Sequence, residues 1–182
     1  MSNSQRSTQN QLLLKTLLEF YNKNQNLDKM LSIINGESSI SLRIVDWFAT
    51  NYSKQHLTAY NVGSDRFKVY IDYKLKLRAY SKKRFDPFCR WERINIPYKD
   101  NTSIQTTLGQ LNFFKWALEN NVIDYITDNY KLIEEDMNSR NSSSKRKKQG
   151  SLNKTRKKRE ELSQLASKSI LRENVDIIVT FS

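Results

Sequence analysis

Residues 140–159 read RNSSSKRKKQGSLNKTRKKR, ten Lys/Arg and no Asp or Glu. Such a stretch cannot enter a hydrophobic core, because burying an unpaired ammonium or guanidinium is far more unfavourable than the few neighbouring apolar groups could offset. The fold must therefore be built from what precedes and follows it. The same stretch supplies +10 of the formal +12 charge, whereas residues 1–139 carry 19 Lys/Arg against 15 Asp/Glu and residues 160–182 carry 2 against 4. The polycation is segregated, and the body before it is close to neutral overall.

With that stretch set aside, the 182-residue chain accommodates one folded unit, and 37% hydrophobic with 11% aromatic residues suffices for its core. The expected organisation is a disordered N-terminus over 1–10, a single α+β domain over 11–138, a basic flexible tract over 139–160, and a C-terminal helix and strand over 161–182 that can pack back on the domain. A single cysteine, Cys89, excludes an intramolecular disulfide and points to a reducing, intracellular compartment. The apolar run LLLKTLLEFY is interrupted by Lys15 and is too short for a membrane span or a secretory signal, so no membrane partner is expected.

Apolar periodicity places the elements. Leu13, Leu14, Leu17, Leu18 and Tyr21 form one face of a first helix. Leu27, Met30, Leu31 and Ile34 form a second, ending at Asn35-Gly36, a pair suited to a left-handed cap. A third starts among Ser38, Ser39 and Ser41 and runs through LRIVDWFATNY. From Phe67 the period changes to two: Phe67, Val69, Ile71, Tyr73, Leu75, Leu77 and Ala79 alternate with mostly polar neighbours, which predicts one long strand. Arg93–Tyr98 is expected to return beside it in a small antiparallel sheet. Two further helices follow. Asp100–Ser103 caps one carrying Ile104, Leu108, Leu111, Phe114 and Leu118, and Val122, Ile126, Ile133 and Met137 mark the next. After the basic tract, Leu162, Leu165 and Ile170 restore a helix and Val175–Phe181 a strand.

The chemistry-bearing residues are few. Gly36, Gly63, Gly109 and Gly150 are scattered, so no phosphate-binding or dinucleotide loop can be assembled. His56 is the only histidine, which leaves zinc sites of the histidine and thiolate kinds without ligands. Cys89 reads as a small buried residue beside Phe88 and Trp91. The acidic run Glu134-Glu135-Asp136 reads as a solvated helix face. No enzyme, metal or cofactor is expected.

Two segments suit nucleic acid. In the first, Lys82, Lys83, Arg84 and Arg90 interleave with Phe85, Phe88 and Trp91, which joins cations for phosphates to aromatic faces for bases. The same aromatics could instead plug the edge of the core while the cationic heads reach outward, or meet a protein partner. In the second, Lys145, Arg146, Lys147 and Lys148, then Lys154, Arg156, Lys157, Lys158 and Arg159, form two basic clusters suited to phosphate binding or nuclear import.

DWFATNY at 46–52, FKVYIDYKLKLRAYSKKRFDPFCR at 67–90 and TTLGQLNFFKWALENNVIDYI at 106–126, followed by a Lys/Arg-rich tract, resemble a small basic protein family of the nucleocytoplasmic large DNA viruses. The resemblance implies a viral origin, with residence in the virus factory or nucleus of an infected host or in the virion, and carries no catalytic residue. The expected function is that of a non-enzymatic viral accessory protein that binds nucleic acid through its basic tract in genome packaging, replication or transcription. The alternative is a virion structural or assembly protein that uses the tract and the aromatic-basic block to contact a viral protein partner.

Overall fold

The computed structural model describes residues 3–90, 92–99, 102–149 and 172–174, and the fold is α+β, as the sequence predicts. Helix α1 (Asn3–Tyr21) and helix α2 (Asn26–Asn35) open the chain. Because α1 begins at Asn3, residues assigned above to a disordered N-terminus are helical. Gly36 ends α2 at φ 76°, a conformation that favours glycine, and the Glu37 amide donates back to the Ser32 carbonyl.

Helix α3 (Leu42–Trp47) starts on the Ser41 side chain, whose hydroxyl accepts from the Ile44 amide. It passes into a π-helical turn, Phe48–Tyr52, and a last helical turn α4 (Ser53–Gln55). The local sequence supplies a cause for the wider turn. The Thr50 hydroxyl donates to the Asp46 carbonyl at 2.7 Å and the Ser53 hydroxyl to the Ala49 carbonyl at 3.1 Å, so side chains compete for acceptors of the helical ladder. Phe48, Ala49 and Tyr52 are all buried by this arrangement.

The long strand expected over 67–79 is not formed. Strands β1 (Ala59–Val62) and β2 (Asp65–Lys68) make a short hairpin, and the chain then enters helix α5 (Val69–Tyr80). Val69 and Tyr73 are buried and Leu77 and Tyr80 pack on the core, a helical stripe. Ile71 and Leu75, the other members of the alternation, point away from it and are 54% and 56% exposed. The run KLKLRA consists of good helix formers, which decides the local contest.

Strand β3 (Arg93–Pro97) consequently pairs with strand β4 (Thr102–Thr107), not with residues 67–79. Residues 102–107 were read above as the start of a helix; the helix starts six residues later, where the Thr107 hydroxyl caps α6 (Leu108–Glu119) by accepting from the Gln110 amide. A three-residue strand β5 (Arg172–Asn174) pairs with the other edge of β4, so the chain returns to the sheet beyond the basic tract. The helix and strand read over 161–171 and 175–181 lie outside the described residues.

Helix α6 is the axis of the core. Leu108, Leu111, Phe113, Phe114, Trp116 and Ala117 are buried together with Gly109, Gln110 and Asn112, so protein surrounds the helix on nearly every side. The Tyr21 hydroxyl donates to the Leu111 carbonyl at 2.6 Å and locks α1 to it. Helix α7 (Val122–Asp128) and helix α8 (Tyr130–Gln149) replace the single helix expected after residue 122. The break falls at Asn129, whose side-chain and main-chain N–H groups both donate to the Tyr125 carbonyl. Helix α8 runs to Gln149, so the segment 139–149, read above as flexible, is helical.

Candidate nucleic-acid interface

The loop that follows α5 is braced from beneath. Ser81 turns the chain at φ 66°, Lys82–Arg84 form one 3-10 turn, and Asp86 accepts from the Phe88 amide at 2.9 Å to shape the turn at Pro87. Four loop carbonyls are then taken by buried or half-buried donors. Asn112 donates to Arg84 at 3.0 Å, Gln110 to Pro87 at 3.2 Å, Thr107 to Cys89 at 3.3 Å, and the Cys89 thiol to Lys83 at 3.3 Å. Three of the donors lie at or near the start of α6. Gly109 sits between them, and a methyl group there would come within 2.9 Å of the Cys89 side chain and 3.0 Å of two loop carbonyls. Thr107, Gln110 and Asn112 of TTLGQLN are therefore structural: they satisfy a loop backbone that would otherwise be buried without partners.

This bracing decides which side chains of the aromatic-basic block face outward. Phe85 is 0% exposed and packs against Tyr73, Tyr80, Phe113 and Trp116, so it belongs to the core and is withdrawn from the set that could stack on bases. Phe88 is half-buried against the same core. Lys82, Lys83 and Arg90 are exposed and Arg84 is half-buried. Trp91 lies outside the described residues. The block is thus a stiff loop that displays cations, with its central aromatic used as a plug.

Carboxylates lie under this surface. Asp46 on α3 has its pKa pushed up to about 6, first by burial and then by the negative charge of Asp86, with Lys82 pulling the other way. Tyr73 is pushed up to about 12 by burial and by the same two carboxylates. Among the described residues, no group of three or more His, Cys, Asp or Glu side chains could hold a metal ion. Cys89 is buried, and His56 stacks on Tyr52 at 4.2 Å with its Nε2 3.8 Å from Asp136.

The basic tract begins as the continuation of α8, which buries Ile133 and Met137 in the core and is tied to α3 through Asp136. Asp136 accepts from the Trp47 indole at 2.9 Å through Oδ2 and from the Arg140 guanidinium at 2.9 Å through Oδ1. Asp136 was read as part of a solvated acidic face; its side chain is 14% exposed and faces the π-helical turn. Arg140, the first cation of the tract, is held in this ion pair. Lys145, Arg146, Lys147 and Lys148 fall within the span of α8. At 1.5 Å per residue, the helix carries Lys148 about 18 Å along its axis from Asp136. Lys154, Arg156, Lys157, Lys158 and Arg159 lie outside the described residues.

Charge within the body is less even than its total suggests. Residues 66–84 hold eight Lys/Arg and one acid, Asp72, while the remainder of 1–139 holds 11 Lys/Arg against 14 Asp/Glu. Asp72 is occupied, since its carboxylate accepts from the Trp116 indole at 2.7 Å. The near-neutral total therefore conceals a cationic strip over α5 and its loop. Elsewhere a polar cavity of about 500 Å³ opens between the α1–α2 turn, residues 38–40 and the α6–α7 junction, with Asn26, Lys29, Ser38, Glu119 and Asp124 in its wall.

The sequence that folds into this α+β body matches a protein family over nearly its whole length. The chain belongs to DUF7197, a family of unknown function, whose pattern spans residues 2–179. It is similar to the uncharacterised protein L507 of Acanthamoeba polyphaga mimivirus, at 47% identity over 131 residues, which cover 67% of this chain and 51% of that protein. The chain thus spans about half the length of that curated relative. The resemblance to a giant-virus family is borne out to this extent. No solved structure matches the chain. Among the described residues, no helix is long and apolar enough to cross a membrane.

Proposed function

We propose that the chain is a non-enzymatic accessory protein of a giant virus that binds nucleic acid through the phosphate backbone, with the tract from Lys145 to Arg159 as the anchor and the loop at Lys82, Lys83, Arg84 and Arg90 as a second contact. The observation that carries this reading is the segregation of charge: +10 within residues 140–159 of a chain whose total is +12. Two structural facts support it. Helix α8 is rooted in the body by Asp136 and its span includes the first cluster, and the chain pairs with the sheet again at β5, so it is held both before and after the tract. The loop cations stand on a backbone that four hydrogen bonds brace, so little ordering is left to be done on binding.

Such an interface reads charge density and not base sequence. Phosphate contacts position a protein on nucleic acid without specifying sequence, and the withdrawal of Phe85 into the core removes the most central base-stacking candidate. The test is a mobility-shift titration of the wild-type chain against a variant in which Lys145, Arg146, Lys147, Lys148, Lys154, Arg156, Lys157, Lys158 and Arg159 are changed to Gln. Substitution is preferred to deletion because the chain is held before the tract at Asp136 and after it at β5. Loss of most affinity with unchanged thermal unfolding supports the proposal, and retained affinity refutes the tract as anchor.

A further inference from the structure

The outward face of α5 lies outside the nucleic-acid reading. Its inner side is fully used: Val69 and Tyr73 are buried, Leu77 and Tyr80 pack on the core, and Asp72 accepts from Trp116. On the outer side Ile71 and Leu75, one turn apart, are 54% and 56% exposed. Among the described residues the other exposed large aliphatics, Leu12, Leu57 and Leu132, each stand alone on a different segment. Around Ile71 and Leu75 the exposed side chains are Lys68, Lys74 and Arg78, and beside them Lys54 lies over the Tyr70 ring at 5.7 Å. The face is a small aliphatic centre inside a cationic rim.

We propose that this face docks an acidic segment of a partner protein that presents aliphatic side chains at helical spacing. Aliphatic side chains at the centre of an interface gain by excluding water, and rim charges set orientation and association rate. The rim selects the partner. A second copy of this chain packed on the same face by a two-fold axis would set Lys74 and Arg78 against cations of their own kind. A phosphate backbone would satisfy the rim but leave Ile71 and Leu75 without an apolar counterpart. A lipid surface needs the wide apolar face of an interfacial helix, and two aliphatic residues do not make one.

The test uses the intact chain and two labelled helical peptides, each rich in Glu and of equal charge. One carries Leu pairs at i and i+4; the other carries Gln in their place. Fluorescence anisotropy is expected to show the Leu peptide binding about tenfold more tightly, a difference of about 1.4 kcal/mol. Because the charges are equal, the basic tract contributes alike to both peptides and drops out of the comparison. Ile71→Ser with Leu75→Ser should erase the preference, and Lys74→Glu with Arg78→Glu should weaken both peptides. Equal affinity of the wild type for the two peptides overturns the proposal, as does a preference that survives the double serine variant. The proposal is equally overturned if the serine pair abolishes self-association in sedimentation, or reduces binding to duplex DNA or to phosphatidylserine vesicles, since the occupant is then of another class.

Discussion

The indole N–H of Trp47 donates to the Asp136 carboxylate at 2.9 Å, and this bond joins the last residue before the π-helical turn to the helix that carries the first cluster of the basic tract. The other oxygen of Asp136 receives Arg140 at 2.9 Å, so one partly buried carboxylate holds both the body and the first cation beyond it. On its N-terminal side the polycation is attached to the body through this residue and the apolar contacts of Ile133 and Met137.

Removal of Asp136 should loosen α8 before it unfolds the body. Asp136→Ala leaves the indole N–H and the guanidinium without their acceptor and is expected to destabilise by about 2 kcal/mol, since a hydrogen bond to a charged group is worth roughly 1.5–3 kcal/mol. Trp47→Phe removes the same bond and is expected to lower stability by a similar amount, more if the smaller ring packs less well. Urea unfolding measures the loss, and amide exchange should show it concentrated in residues 130–140.

Asp46 gives a pH signature of definite sign. Its folded pKa, about 6, lies above the ordinary value of 3.8 because burial and Asp86 oppose the charged form. The folded state therefore holds this proton more tightly than the unfolded state. Stability from this residue is greatest below about pH 4, declines as the pH rises towards 6, and stays lowered above that. Asp46→Asn removes the penalty. The variant should gain on the order of 2 kcal/mol over wild type at pH 7 and little at pH 4, read by denaturant unfolding at the two pH values.

Gly109 and Gln110 test the bracing of the basic loop. Gly109→Ala forces a methyl group against Cys89 and two loop carbonyls and should destabilise by about 1–3 kcal/mol through overpacking. Gln110→Ala leaves the Pro87 carbonyl without its donor, with an expected loss of about 1–3 kcal/mol. Thermal unfolding reads both, and a loss below about 0.5 kcal/mol for either would show that the loop does not depend on α6.

The aromatic-basic block should separate cleanly into stability and surface. Phe85→Ala opens a hole among Tyr73, Phe113 and Trp116 and is expected to destabilise by about 3–5 kcal/mol. Lys82→Gln with Lys83→Gln should leave unfolding nearly unchanged and weaken nucleic-acid affinity by a few-fold. Parallel unfolding and binding curves for the two variants check the division.

The sequence was informative where one period ruled and misleading where two coincided. The apolar faces of α1, α2 and α6 were legible, as was the left-handed cap at Gly36. Residues 67–80 were misread because Val69, Tyr73 and Leu77 are spaced by four, a multiple common to a strand's period of two and close to a helical turn; Ile71 and Leu75 completed the alternation although they serve no core. The β1–β2 hairpin carried a usable turn signal at Gly63-Ser64, but strands of four residues gave no period to count. Thr106, Thr107, Gln110 and Asn112 were polar positions inside an apolar run, which is itself a mark of buried hydrogen bonding. The partners of Thr107, Gln110 and Asn112, carbonyls of residues 84–89, could not be foreseen because backbone groups have no signature in sequence. The inward turn of Asp136 was hidden for a related reason: it stands in a run of three acids, of which Glu135 is exposed and Glu134 accepts from the Tyr130 hydroxyl on the same helix.

Anchoring of the segregated polycation on phosphates is read out by the salt dependence of duplex binding to the intact chain. If six cations of the tract each neutralise a phosphate, log K should fall against log salt with a slope of about −5 and with little preference for sequence. A slope near zero would show that the tract does not bind phosphates.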